Sequence, residues 1–219
     1  MADILLQLLP HVVSSLLYAA LGLHFWHTRW RETDRPLVTL PMQPWERAAI
    51  FVALVVQGYG LYEGLFGAGG MRFSFSFALS LMLWLAVLIY WLESFRSRMD
   101  GLQPMVLPLA ALSAAAPALF PQLRVVAHAG AWGFQLHFLP AVLAYSLFTL
   151  SALHAVFMGF AERKLHQRAI TKSLTSLPPI LTMEALMFRM ISVAFGLLTV
   201  ALVSGVMFSE AIFGKAMVL

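Results

Sequence analysis

The chain has 219 residues, of which 61% are hydrophobic and only 11% are charged. Soluble domains average about half apolar and about a quarter charged residues, so the composition excludes a soluble globular protein of this size. The absence of cysteine excludes disulfides, thiolate catalysis and thiolate-bound metal clusters within this chain. The fourteen Lys and Arg are scattered between apolar runs, which argues against a nucleic-acid-binding surface.

Six apolar stretches follow one another along the chain, each near the roughly 20 residues that a helix needs to cross about 30 Å of hydrocarbon. Because hydrocarbon offers no partner to an open backbone amide, segments that span it should be helices. The first stretch lacks a basic start and a cleavage site, which predicts a retained helix. We therefore predict an all-α polytopic transmembrane helix bundle that forms a single domain over residues 1–219. The predicted spans are 4–27, 47–66, 75–94, 104–120, 134–160 and 187–209.

Positive charge is divided unequally between the segments that connect these spans. Eleven Lys and Arg lie in segments 28–47, 95–103 and 161–189, whereas only three lie on the alternate side. Because Lys and Arg accumulate on the cytoplasmic side of a membrane, we predict that the three basic segments are cytoplasmic and both termini are outside. The three outer cations are Arg72, Arg124 and Lys215.

The seven histidines are the main candidates for a functional site, because an ionisable residue inside a span is costly and points to function. The predicted topology places His11, His128 and His137 toward the outer side, and His24, His27 and His154 toward the cytoplasmic side. Two axial ligands of one haem must lie at the same depth on facing helices. His137 and His154 are separated by roughly 25 Å along one helix, so they cannot ligate one iron.

His137 is the strongest ligand candidate, because it lies about one turn inside the membrane beside small and polar residues. Arg72 flanks a short, glycine-rich and aromatic outer loop, where a ligand that carries propionates would need a cation. The simpler interpretation of Arg72 is a single interfacial charge. No Ser-His-Asp spacing, phosphate-binding glycine loop or metal motif occurs in the sequence.

Each of the other histidines has a structural interpretation beside the functional one. His24 and His27 end the first span, where snorkelling to the interface explains them. His11 is also interpretable as an outer-surface residue, and His154 as a packed polar residue that forms a hydrogen bond to another helix. His128 lies in a loop among Ala and Gly and carries no special constraint.

Four stretches of the chain resemble a known family. The sequence is similar to the CcsA-like cytochrome c assembly family, and within it to the YpjD-like inner-membrane branch. The stretches that carry the resemblance are MRFSFSFALSLMLWLAVLIY (71–90), GLQPMVLPLAALSAAAPALFP (101–121), WGFQLHFLPAVLAYSLFTLSALHA (132–155) and LPPILTMEALMFRMISVAFGLLTVALVSGVMF (177–208).

The resemblance implies a multi-pass protein of the bacterial cytoplasmic (inner) membrane that binds or moves haem for cytochrome c maturation. It implies a non-enzymatic assembly factor, non-covalent b-type haem, and other cytochrome c maturation proteins as partners beside the lipid bilayer. The family histidine of the fifth helix matches His137, which is then a haem axial ligand. His11, His128, His154 and Arg72 are weaker candidates for the haem site.

The sequence departs from the family pattern in two places. The 67–74 loop contains no Trp, whereas the better-known members carry a tryptophan-rich haem-handling loop there. The chain ends at Leu219, where relatives continue with a His-Lys pair that opens a further helix. If that histidine is the second ligand, the chain is either truncated or a short form with a different second ligand.

Two other function classes compete with haem handling. A small transporter or ion-conducting protein would use the intramembrane histidines as a polar path, although the spans contain few acidic residues and show no repeat symmetry. A structural partner of a larger complex would use its polar residues for helix packing. An enzyme is the least favoured class, because no acid, base and nucleophile share one depth.

Overall fold

The computed structural model describes residues 2–30, 42–66, 71–96, 101–121, 124–125, 129, 131–167 and 180–208. This part of the chain contains six α-helices, a π-helical turn and one two-stranded antiparallel ribbon. The prediction of an all-α polytopic bundle is confirmed. The helices are α1 (Ala2–Phe25), α2 (Pro44–Phe66), α3 (Phe75–Glu93), α4 (Gln103–Leu119), α5 (Trp132–Gln167) and α6 (Ile180–Met207); the π-turn is Trp26–Trp30, and the strands are β1 (Arg72–Phe73) and β2 (Arg124–Val125).

Five of the described helices contain segments that are long and apolar enough to cross a membrane. Helix α4 has 17 residues, which gives a length of about 26 Å, slightly less than the hydrocarbon thickness. The predicted fourth stretch is therefore a helix, but the shortest of the six. The five longer candidate spans are Leu8–Arg29, Pro44–Phe66, Phe75–Glu93, Trp132–Phe160 and Met183–Met207.

Helices α5 and α6 extend beyond the predicted spans on one side. Helix α5 continues to Gln167 rather than ending at residue 160, and α6 begins at Ile180 rather than at residue 187. The extensions carry exposed charged side chains, among them Glu162 and Glu184. Because a helix satisfies its own backbone hydrogen bonds, it can continue from hydrocarbon into water, where charges are solvated. Hydropathy alone marks only the apolar part of such a helix.

The helices form a four-helix unit with a helix pair attached to it. Helix α1 packs against α2 and α4, and α3 packs against α2 and α4, so these four helices share one core. Side chains from each of them meet there, including Tyr18, Ile50, Tyr90 and Leu107, all fully buried. Helices α5 and α6 form the most extensive helix contact, and α3 connects this pair to the unit.

Apolar side chains also cover the outer surface of the bundle. Leu9, Leu16 and Leu23 are spaced seven residues apart on α1, and each is more than half exposed. Seven residues are close to two helical turns, so the three side chains form one stripe. A stripe of this kind is unfavourable in water but suits the hydrocarbon of a bilayer. The fold is therefore apolar both inside and outside, as a multi-pass membrane protein requires.

Candidate functional site

The β ribbon and the first turns of α5 lie together at one end of the bundle, here called the ribbon end. Strands β1 and β2 pair Arg72 with Val125 and Phe73 with Arg124. The ring of Phe73 contacts the ring of Phe138 edge-on, with centroids 5.2 Å apart. Phe138 in turn stacks on Phe134 one turn earlier, at 5.5 Å. These aromatic contacts bring the cations of the ribbon to the same end of the bundle as the start of α5.

His137 precedes Phe138 on α5, and its ring is turned toward α6. The Nδ1 atom lies 2.8 Å from the carbonyl oxygen of Ala201. The ring is seated over Gly205, where an added Cβ would be only 2.9 Å from Nδ1. A residue without a side chain is therefore required at position 205 to accept the imidazole in this position.

The hydrogen bond to Ala201 determines which ring nitrogen of His137 donates. A carbonyl oxygen only accepts hydrogen bonds, so Nδ1 carries the proton and donates it. The lone pair of a neutral imidazole with this tautomer is on Nε2. Metal-binding histidines commonly have this arrangement, in which Nδ1–H donates to a backbone carbonyl and Nε2 binds the metal. The chemistry of His137 thus fits an axial ligand.

The contact between α5 and α6 at the ribbon end is close in the turn of α5 that precedes His137. The rings of Trp132 and Phe208 lie 4.4 Å apart between centroids. One turn after Trp132, Leu136 accepts a hydrogen bond at its carbonyl oxygen from the hydroxyl of Ser204. Small residues let two helix backbones approach in this way in a membrane. The imidazole of His137 therefore follows directly on a segment of α5 that is in close contact with α6.

Arg72 lies in the ribbon directly before Phe73 and is half-buried. Its Nε atom is buried and has no hydrogen-bond partner within the described residues. An unsatisfied guanidinium nitrogen is able to donate to an anionic group, since the guanidinium has five N–H donors and no acceptor. Arg72 and His137 are thus at the same end of the bundle, connected through the contact between Phe73 and Phe138.

His11 also lies at the ribbon end, but it faces a different set of helices. Its ring contacts Phe77 of α3 edge-on at 5.5 Å, and it lies beside Gly60 of α2. His11 is only 3% exposed, so it is a core residue and not an outer-surface residue. Helix α1 packs on α2 and α4, whereas His137 is turned toward α6. The structure therefore does not bring His11 and His137 to one ligand site.

His154 occupies the opposite half of α5. Its Nε2 lies 3.1 Å from the carbonyl oxygen of Met183 and donates to it across the helix contact. The remaining ring nitrogen, Nδ1, is buried without a partner among the described residues. This is the packed, cross-helix hydrogen bond expected of the structural interpretation of His154. His128 and the end of the chain at Leu219 lie outside the described residues.

A buried carboxylate at the other end of the bundle was not anticipated from the sequence. Glu46 in the first turn of α2 is 3% exposed. Its oxygens lie 3.1 Å from His24 Nε2 and 2.8 Å from a guanidinium nitrogen of Arg29. It also accepts a hydrogen bond from the backbone N–H of Gln43, three residues earlier. The His24 side chain is thus held by a carboxylate rather than only by the interface.

The sequence did contain a signal for part of this cluster. A Glu three residues after the N-cap that reaches back to the N-cap amide is half of a capping box. The pairing with Arg29 and His24 could not be seen, because it depends on α1 and α2 being antiparallel neighbours. Gly205 likewise carries no signal in the sequence without knowledge of the histidine that faces it.

The residues at the ribbon end include groups of the kinds that a haem site uses. Within the described residues, no three His, Asp or Glu side chains come together as a metal-ion site. A haem requires less from each protein residue, because the porphyrin supplies four of the iron ligands and the protein supplies axial ones. The ribbon end provides groups of the required kinds. They are the imidazole of His137, whose Nδ1 donates to Ala201, the aromatic rings of Phe73 and Phe138, and the half-buried guanidinium of Arg72.

Comparison with known proteins places most of the chain in one family. A family model described as Cytochrome C assembly protein matches residues 45–218, from the first turn of α2 to beyond the end of α6. Neither a comparison with curated proteins nor one with solved structures gave a significant match.

Proposed function

We infer that this chain, which belongs to the cytochrome c assembly protein family and serves cytochrome c maturation, acts there by binding and handling non-covalent b-type haem. We place it in the bacterial cytoplasmic membrane as a non-enzymatic assembly factor, with other cytochrome c maturation proteins as partners. The charge distribution supports an orientation in which the ribbon end faces outward.

The observation that carries the proposal is the hydrogen bond between His137 Nδ1 and the carbonyl oxygen of Ala201, 2.8 Å long. It holds the ring in one tautomer and in one orientation before any ligand arrives. A pre-oriented imidazole loses little conformational freedom on binding, so more of the interaction energy contributes to affinity. His137 Nε2 is therefore the proposed axial ligand.

Arg72 is the proposed partner of the propionates. Haem supplies iron for the axial nitrogen and two carboxylates that need a cation. A guanidinium suits a carboxylate because it donates two parallel hydrogen bonds. Arg72 is a better candidate than Arg124, because Arg72 is half-buried and Arg124 is exposed, and charge pairing is weaker in water.

The other histidines have structural roles in this proposal. His154 donates to Met183 across the contact between α5 and α6, and His24 pairs with Glu46. Both imidazoles join neighbouring helices at the end of the bundle opposite the ribbon. Loss of either ring is expected to affect stability more than haem content.

Absorption spectra of the detergent-purified protein, oxidised and reduced, test the proposal directly. Protein from haem-sufficient cells should show a Soret band, and His137→Ala should weaken it. The matched control is His27→Ala, which removes an exposed imidazole from the π-turn at the opposite end. A colourless but folded wild-type protein would refute haem handling and favour a transporter or a structural partner.

If the Soret band is equally strong in wild type and in His137→Ala, the protein binds haem but His137 is not its axial ligand. In that case the second test is Arg72→Gln, which retains hydrogen bonding but removes the charge. It should weaken haem affinity severalfold without moving the band, since it does not touch the iron. An unchanged affinity would show that Arg72 is only an interfacial charge.

A further inference from the structure

Three buried polar side chains on α1 and α2 are not among the groups assigned to haem. His11 and Tyr18 belong to α1 and Gln57 belongs to α2; Tyr18 and Gln57 are fully buried, and His11 nearly so. Each has one polar atom with no hydrogen-bond partner in the described part of the chain, namely His11 Nδ1, the Tyr18 hydroxyl and Gln57 Oε1. An unsatisfied buried polar atom costs about 1–3 kcal/mol, so three in one region require a partner.

The register of α1 and α2 places these atoms in one region. The helices are antiparallel, since His24 meets Glu46 near one end and His11 lies beside Gly60 near the other. Interpolating between these two contacts puts Gln57 at the level between His11 and Tyr18.

The expected side-chain directions bring Tyr18 and Gln57 closer together, and the ring of His11 is placed by its contact beside Gly60, one turn from Gln57. In a helix, long side chains lean toward the N-terminus. Tyr18 therefore leans toward His11, and Gln57, on the antiparallel helix, leans toward Tyr18. Helix α3 closes the region, because Gln57 Nε2 donates to the Ser80 hydroxyl at 3.0 Å.

The available hydrogen-bonding groups match one kind of ligand. The Tyr18 hydroxyl donates, the Gln57 carbonyl accepts, and the His11 nitrogen accepts when the proton is on Nε2. A cation would need carboxylates or several carbonyls, and an anion would need a positive charge. Water has two donors and two acceptors, and a buried water typically has about three polar partners.

We propose that α1, α2 and α3 enclose an internal water site, in which ordered water bridges His11, Tyr18 and Gln57 inside the membrane-spanning unit. Water donates to the nitrogen of His11 and to the carbonyl of Gln57, and it accepts from the hydroxyl of Tyr18. The site gives His11 a role that is separate from haem ligation and independent of the proposed function.

A double-mutant cycle tests the bridge through two near-isosteric changes, Tyr18→Phe and Gln57→Leu. The readout is the equilibrium unfolding of each variant in mixed detergent micelles. If water bridges the two groups, each change should raise the unfolded fraction about threefold to tenfold. The double variant should raise the unfolded fraction by less than the product of the two single increases. If no water contacts the Tyr18 hydroxyl, Tyr18→Phe should stabilise the protein, and that result overturns the proposal.

The matched control is Tyr145→Phe, which removes the same hydroxyl from an exposed tyrosine on α5. It should leave the unfolding equilibrium unchanged. Because the wild-type chain and the Phe variant both keep the ring, a difference between positions 18 and 145 reports on the surroundings of the hydroxyl.

Solid-state NMR of the ¹⁵N-histidine-labelled protein in bilayers gives a second, direct measurement. Magnetisation transfer from water to the His11 ring is expected in wild type and should weaken strongly in Gln57→Leu. The absence of transfer to His11 in wild type would also overturn the proposal. Neither measurement requires haem, so a failed haem assay leaves this test intact.

Discussion

Replacing Gly205 with Ala perturbs His137 without removing its imidazole. The added Cβ would lie 2.9 Å from Nδ1 and 3.1 Å from Cε1 of His137, and contacts below about 3 Å force one partner to move. Gly205 lies in a helix that packs tightly on α5, so the ring is the group that yields. We expect the ring to turn away from Ala201 and to lose the hydrogen bond that sets its tautomer.

The expected effects on stability and on binding differ in size. Loss of one hydrogen bond costs about 1 kcal/mol, and Ala in place of a helical Gly regains up to about 1 kcal/mol. The free energy of unfolding should therefore change little. Loss of a group that orients a metal ligand typically weakens metal binding about tenfold to hundredfold. A titration of the apoprotein with haem, followed by the Soret band, measures this difference.

The control is Gly196→Ala on the same helix, where an added Cβ meets nothing within 4 Å. It should bind haem with wild-type affinity and be slightly more stable than wild type. If Gly205→Ala and Gly196→Ala bind haem equally well, the orientation of His137 by α6 has no role in binding. The assignment of His137 as the axial ligand would then lose its main support.

Three further predictions address the fold and its orientation. Glu46→Gln should lower the free energy of unfolding by roughly 3–5 kcal/mol, because it leaves a buried guanidinium without its carboxylate; the exposed Glu63→Gln should leave thermal unfolding unchanged. Gly101→Ala should lower the free energy of unfolding by more than about 1 kcal/mol, since φ of Gly101 is +105° and an added Cβ would be 2.6 Å from the ring of Phe157. Equal stability of the variant and wild type in chemical unfolding would contradict this. Cysteines introduced separately at exposed Phe95 and Val125 of this cysteine-free chain should label from the inside and the outside respectively, and the reverse pattern would refute the orientation.

The helical bundle was predictable because the hydropathy of the sequence determines most of it. A stretch of about 20 apolar residues has to bury its backbone amides internally when it crosses hydrocarbon, and a helix does so. All six stretches are helices. The two-residue strands of the ribbon were not predicted, and the predicted span bounds leave out the extensions of α5 and α6. These parts lie where water is available and hydropathy gives no constraint.

The sequence predicted the position of each histidine along its helix better than the residues that surround it. The position of an imidazole in an apolar stretch follows from counting residues. Its partner follows from which helix packs against that face, and the sequence does not state it. For this reason the sequence did not show that His11 lies against α2 and α3 or that His24 pairs with Glu46.

The two histidines of α5 show what this missing information decides. His137 and His154 are both flanked by apolar residues, and each donates a hydrogen bond to a carbonyl of α6. They differ in the nitrogen that donates: Nδ1 in His137 and Nε2 in His154. In the neutral imidazole the lone pair is therefore on Nε2 in His137 and on Nδ1 in His154, and Nδ1 of His154 is buried. The nitrogen that donates to a carbonyl group of α6 therefore distinguishes the proposed ligand, His137, from the packing residue, His154.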